Sequence, residues 1–147
     1  MTIEKLIFLD IDGAICTPAT KFLSFDPICM KHLKSVINQT NAFIVISSVW
    51  RKMHPFPKLK EMFEPFGLFN HVLGVTPELQ GDMVRGKEIA QWIEDNKNWQ
   101  RLNLKQFVII DDDSDMEPHM DRLVKTIGTE GLTEEDAKKC IEMLNSD

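Results

Sequence analysis

Three short polar stretches in this chain hold residues suited to handling a phosphate: Asp10-Ile11-Asp12-Gly13, Ser47-Ser48 and Asp111-Asp112. If the carboxylates of Asp10, Asp12, Asp111 and Asp112 gather at one place, they repel one another. Two unit charges ~4 Å apart cost about 4 kcal/mol at an effective dielectric of about 20. Such a cluster needs a compensating cation or raised pKa values. Several hard oxygen donors, with room for water and a phosphate oxygen, suit Mg2+. Ser47, with Ser48 beside it, offers a hydroxyl. Backbone N–H groups after Asp10 can donate to phosphate oxygens, and Gly13 permits a tight turn there. Arg85 or Lys87, at the start of a helix, adds positive charge. Phosphoryl transfer depends mainly on positioning and charge neutralisation, which such a set supplies. Each signal alone has a bland explanation: serines often end strands, and acidic runs are usually solvated.

What gives the stretches joint meaning is the elements that precede them. Lys5 to Asp10 reads as a nearly continuous apolar strand, the pattern of a strand covered on both faces. Ala42 to Ile46 is a second strand ending at Ser47-Ser48, and Gln106 to Ile110 is a third ending at Asp111. Asp26 with Pro27 marks a helix start, running to about Gln39 and burying Ile28, Leu33 and Ile37 or their neighbours. Residues 56–66 predict a short helix stopped by Pro65 and Gly67. A short strand follows at His71 to Leu73, then a helix from Arg85 to Asn96 with Ile89, Trp92 and Ile93 at helical spacing. A last strand near Leu123 to Thr126 precedes a helix begun by Thr133 with Asp136 as a capping box. Alternating strands and helices indicate an α/β fold with a mainly parallel sheet. The carboxyl ends of such strands form one edge, where ligands bind.

Composition bounds the rest. The chain has 147 residues, 43% hydrophobic and 27% charged, which predicts one globular domain over residues 1–147. No apolar run approaches the roughly 20 residues needed to cross a bilayer, and Glu4, Asp10 and Asp12 break the pattern of a signal peptide. Cys16, Cys29 and Cys140 are scattered and odd in number, so free thiols in the cytoplasm are expected. A net charge of −6 argues against tight non-specific nucleic-acid binding. The basic run of Arg51, Lys52, Lys58 and Lys60 reads as a solvated helix face. The calcium-loop reading of Asp111-x-Asp113-x-Asp115 fails, because Met116 and Arg122 stand where that loop needs Gly and Glu.

With these motifs in view, the chain resembles the haloacid dehalogenase (HAD) superfamily of phosphatases, and more closely the small HAD domains of "Swiss army knife" RNA-repair proteins. The resemblance rests on Ile7-Phe8-Leu9-Asp10-Ile11-Asp12-Gly13, Ile46-Ser47-Ser48-Val49-Trp50-Arg51, Gly74-Val75-Thr76-Pro77, Arg85-Gly86-Lys87-Glu88-Ile89, the stretch from Val108 to Met116, and Gly131 to Ala137. It implies a three-layer Rossmann-like domain and an Mg2+-dependent phosphohydrolase working through an aspartyl-phosphate. In that pattern Asp10 matches the nucleophile and Asp12 the general acid and base. The metal is held by Asp10, by the backbone carbonyl of Asp12 and by Asp112, with Asp111 beside it. Ser47 matches the phosphate-binding hydroxyl. The third-motif base stays open: Arg85 fits the subgroup's pattern, Lys87 the residue type usual in the superfamily. Arg51 is a candidate substrate contact. The interval from Ser48 to Arg85 has room for a helix and a strand but no separate cap domain. An open site of that kind admits a bulky phosphoester such as a polynucleotide end.

Two other classes compete. A receiver-like signalling module also uses an acidic strand edge, Mg2+, a hydroxyl and a lysine, but its paired acids follow the first strand. A non-catalytic phosphate-binding domain would bind phosphate or metal without turnover.

Overall fold

A computed structural model of the chain describes residues 2–79 and 84–146. Five parallel strands form one sheet: β1 (Ile3–Leu9), β2 (Phe43–Ile46), β3 (Val72–Val75), β4 (Leu102–Asp111) and β5 (Leu123–Lys125). Their order is β3-β2-β1-β4-β5. The helices are α1 (Pro27–Thr40), α2 (Trp50–Met53), α3 (Phe56–Glu61), α4 (Arg85–Asn96) and α5 (Glu134–Asn145). The order of connection reverses between β1 and β4, so the switch-point crevice opens beyond the carboxyl ends of those two strands.

Alternation along the strands divides the interior into two cores and makes three layers. Ile7 and Leu9 of β1, Ile44 and Ile46 of β2, and Val108 and Ile110 of β4 face one layer, with Leu33 of α1 and Leu144 of α5. Leu6 and Phe8, Phe43 and Val45, and Ile109 face the other, with Ile89 and Trp92 of α4. Phe8 sits edge-on to Trp92 at 5.7 Å and to Phe107 at 5.6 Å. Full burial of such a ring stabilises the fold by about 1.5–3 kcal/mol.

Local chemistry starts the helices where the sequence indicates. The Asp26 carboxylate accepts the Ile28 N–H at 2.9 Å and Pro27 occupies the first turn of α1. Thr133 and Asp136 form the reciprocal capping box of α5. Three expectations need correction. Ile28 is 68% exposed, because the buried stripe of α1 runs through Cys29, Met30, Leu33, Val36 and Ile37, and position 28 falls off it. The segment 56–66 is not one helix: α3 ends at Glu61, and a 3-10 turn over Glu64–Phe66 precedes Gly67, whose φ of 73° continues no helix. β4 begins at Leu102, earlier than its apolar run suggests. Between β2 and α4 the described residues hold α2, α3, two 3-10 turns and β3, with no separate cap domain. Among the described residues, no helix is long and apolar enough to cross a membrane.

Candidate active site

Strand register assembles the site. Val75, Ile46, Leu9, Ile110 and Val124 pair across all five strands. The next residues form one row along the sheet edge: Thr76, Ser47, Asp10, Asp111 and Lys125. The row is held by backbone bonds from Thr76 to Ile46 (2.9 Å), Ser47 to Leu9 (2.8 Å) and Asp10 to Ile110 (2.9 Å). Asp10 has the parity of Leu6 and Phe8, Asp111 that of Ile109, and Ser47 that of Val45. All three therefore fall on the layer of α4, the helix that begins with Arg85.

One oxygen each from Asp10, Asp111 and Asp112 lies within 4.8 Å of the others. Asp10 and Asp111 are buried. Arg85 meets both through Nη1, 2.7 Å from Asp111 Oδ2 and 3.2 Å from Asp10 Oδ2. Asp10 Oδ1 accepts the Ile11 N–H at 2.8 Å, and Asp111 Oδ1 accepts the Asp113 N–H at 2.9 Å. One guanidinium does not balance this site. Burial raises Asp10 above the ordinary carboxylate range although Arg85 pulls it down. Burial and then the charge of Asp10 raise Asp111 further. An excess of carboxylate and a donor set made only of hard oxygens suit a divalent cation such as Mg2+.

The loop after β1 is wound tightly. The Ile11 carbonyl accepts N–H groups from Ala14, Ile15 and Cys16 at 3.2, 2.9 and 2.9 Å. Gly13 has φ of 81°, and a Cβ there would collide with the Asp112 carboxylate. Both facts require glycine. The Thr126 hydroxyl donates to the Gly13 carbonyl at 2.6 Å, which ties this loop to the end of β5. Asp12 projects from it. Its Oδ1 is buried and has no hydrogen-bond partner among the described residues, as is also true of Ser47 Oγ and Thr76 Oγ1. Buried polar atoms without partners are costly, and a bound ligand is one way to satisfy them.

The remaining candidates lie around this centre. Ser48 is buried, and its hydroxyl accepts the Trp50 N–H at 3.2 Å at the start of α2. Arg51 is turned to Glu88 of α4, with 2.9 Å contacts to both carboxylate oxygens. Between the two third-motif candidates, geometry brings Arg85 to the acids, whereas Lys87 lines a surface hollow with Glu117 and Pro118. The three cysteines are free and buried, and burial pushes the thiols of Cys16, Cys29 and Cys140 up to about 12, 11 and 12. Those values remove them as nucleophiles at neutral pH.

Two supporting residues stand within the quoted motifs but carry no role from the sequence alone. The N-cap residue of α4, Val84, makes no side-chain cap bond. Asp115, from the loop after β4, stands in for it: Oδ2 accepts the Arg85 N–H at 3.3 Å and its carbonyl accepts the Gly86 N–H at 3.0 Å. Glu88 is the other. Their partners had no local signal, because each lies about 30 or more residues away in sequence.

The model of a family described as "HAD domain in Swiss Army Knife RNA repair proteins" matches residues 6–137. No curated protein and no solved structure matches the chain.

Proposed function

The chain belongs to this family of HAD domains, and from that premise we propose that residues 1–147 form one phosphohydrolase domain that cleaves a phosphate monoester through an aspartyl-phosphate on Asp10. The observation that carries the reading is the meeting of Asp10, Asp111 and Asp112 within 4.8 Å, beside the guanidinium of Arg85 and next to the Ser47 hydroxyl, which has no partner among the described residues.

The Asp10, Asp111 and Asp112 carboxylates, with the Asp12 backbone carbonyl, would hold Mg2+, which when bound supplies charge neutralisation for the acids and for the phosphoryl oxygens. Asp10 attacks phosphorus in line with the leaving oxygen, and the carboxyl of Asp12 gives that oxygen its proton. Asp12, now a carboxylate, takes a proton from the water that attacks the aspartyl-phosphate, releasing orthophosphate and restoring Asp10. Ser47 donates its hydroxyl to a phosphoryl oxygen. Arg85 orients Asp10 and Asp111 and compensates their charge throughout. Of the remaining candidates, Lys87 of α4 lines a surface hollow that a larger substrate would reach, whereas Ser48 and the Arg51 side chain are buried behind the centre.

The absence of a cap domain among the described residues leaves the sheet edge accessible to a bulky phosphoester, and a polynucleotide end is the substrate the family description favours. Three free cysteines fit a cytoplasmic setting. The test is Mg2+-dependent release of phosphate from an aryl phosphate and from 3′- and 5′-phosphorylated oligonucleotides. Hydrolysis that EDTA abolishes and that Asp10→Asn lacks supports the proposal. Metal or phosphate binding without turnover on any ester would instead identify a non-catalytic domain, and a long-lived phosphorylated Asp10 a receiver-like one.

A further inference from the structure

Arg51 and Glu88 stand outside the acid cluster, on α2 and α4. Arg51 Nη2 donates to both Glu88 oxygens at 2.9 Å, and Nη1 donates to the Ser48 carbonyl at 3.0 Å. Glu88 Oε2 also accepts the Leu79 N–H at 3.1 Å, from the segment that follows β3. The two side chains are 6% and 7% exposed. Stability alone gives a weak reason for such a pair, because apolar residues of similar size often replace buried ion pairs without loss. Its placement gives a stronger one. Ser48 follows the hydroxyl-bearing Ser47, and Glu88 lies three residues, nearly one turn, beyond Arg85 on α4. The pair thus joins the segment that carries the Ser47 hydroxyl to the helix whose Arg85 holds Asp10 and Asp111. Both terminal nitrogens of Arg51 are committed to that junction, while Nε is buried with no partner among the described residues.

We propose that Arg51 and Glu88 form a positioning pair that fixes the spacing between the Ser47 hydroxyl and the Arg85 guanidinium, so that the hydroxyl and the Asp10 carboxylate held by Arg85 address one phosphoryl group. The role rests on the phosphatase reading above. It assigns Arg51 to the geometry of the site and not to direct contact with substrate. A planar fork is needed to reach Glu88 and the Ser48 carbonyl together, so lysine cannot replace it. Displacement by about 1 Å of a positioned group can cost ~10²-fold in rate.

The experiment measures kcat and KM for Glu88→Gln, Arg51→Lys and the double variant Arg51→Met with Glu88→Leu. Substrates are an aryl phosphate and a phosphorylated oligonucleotide. Backbone amide NMR spectra of each protein are recorded without substrate. The double variant guards against misfolding from a lone buried charge. Expected is a fall in kcat of about 10- to 100-fold in every variant, with KM changed less than about 3-fold. The factor should be the same for small and bulky substrates. The Ser48 and Arg85 amide signals should move together in Glu88→Gln. Wild-type kcat in Glu88→Gln, or a raised KM with intact kcat in Arg51→Lys, would overturn the proposal. If the wild type hydrolyses no ester, the phosphatase reading fails by itself. The pair is then judged by the amide signals: joint movement supports it, and an unmoved Arg85 signal in Glu88→Gln rejects it.

Discussion

Asp10 and Asp111 end neighbouring strands side by side and share a single nitrogen, Nη1 of Arg85, at 3.2 Å and 2.7 Å. Two buried carboxylates on one cation leave the site short of positive charge, and the following expectations grow from that imbalance.

Asp10→Asn should lower hydrolysis of an aryl phosphate at least ~10³-fold, because an amide cannot form the acyl-phosphate. The same change removes one member of a mutually repelling set. In EDTA at pH 8 the melting temperature should therefore hold or rise. Lost activity combined with a lower melting temperature would point to a structural role for Asp10. Calorimetry beside the activity assay separates the two.

Stability should depend on pH and on divalent cation together. Asp10 is raised from the ordinary 3.8 to about 6, and Asp111 to about 8. Between the ordinary and raised values the folded state holds more protons than the unfolded one, so the pair's contribution to stability falls as pH rises from about 4 to about 8. Mg2+ should raise the melting temperature most at the upper end of that window. The check is thermal unfolding from pH 4.5 to 8.5 with EDTA or Mg2+, with Asp111→Asn as reference. The cation-free difference between Asp111→Asn and wild type should widen in favour of the variant as pH rises.

Arg85→Ala should cost ~10²-fold or more in kcat. It should also cost on the order of 2 kcal/mol of stability near pH 8, less than a fully buried pair loses because the freed carboxyls can take up protons. Lys87→Ala should reduce kcat far less, since it is Arg85 that touches Asp10 and Asp111. Equal losses would return the third-motif role to both residues. Steady-state kinetics and urea unfolding on the two variants decide it.

Ser47→Ala removes a buried hydroxyl that has no partner among the described residues. Stability should be unchanged or higher by up to about 1 kcal/mol, whereas inhibition by orthophosphate should weaken about 10-fold. A marked loss of stability would mean that the hydroxyl serves the fold.

Gly86→Ala tests the contact between α4 and the loop after β4. A Cβ at residue 86 would overlap the carbonyl groups of Met116 and Glu117. The cost should be about 2–3 kcal/mol, with kcat reduced as Arg85 shifts. Gly74→Ala is the control, because its nearest neighbour, Trp92 Nε1, is 3.8 Å away. Chemical denaturation of both variants provides the comparison.

The sequence disclosed those parts of the molecule whose signals are local. Asp26-Pro27 and Thr133 with Asp136 marked helix starts because capping acts within one turn. The apolar runs before Asp10, Ser47 and Asp111 marked central strands because burial on both faces removes polar alternation. The first part of β4 was missed for the opposite reason: Leu102-Asn103-Leu104-Lys105 alternates, with Asn103 and Lys105 exposed. Ile28 was misplaced because a helix fixes its spacing but the neighbouring elements choose which stripe is covered. The choice of Arg85 over Lys87 as the residue touching the acids, the Asp115 cap and the Arg51–Glu88 pair depend on how α4 docks. No window of sequence contains both sides of those contacts.

The row along the sheet edge also has a consequence for how the strands find alignment. Residues 6–9 of β1, all of β2 and the end of β4 are apolar toward both layers, so sliding one past another by a residue there would expose no greasy surface and meet little resistance from the interior. The acids and the serine that close the strands supply the missing resistance. A slip of one step would drag a carboxylate among leucines and isoleucines, or strand it away from Arg85. The residues proposed to break a phosphoester thereby act as full stops, telling each strand where to end.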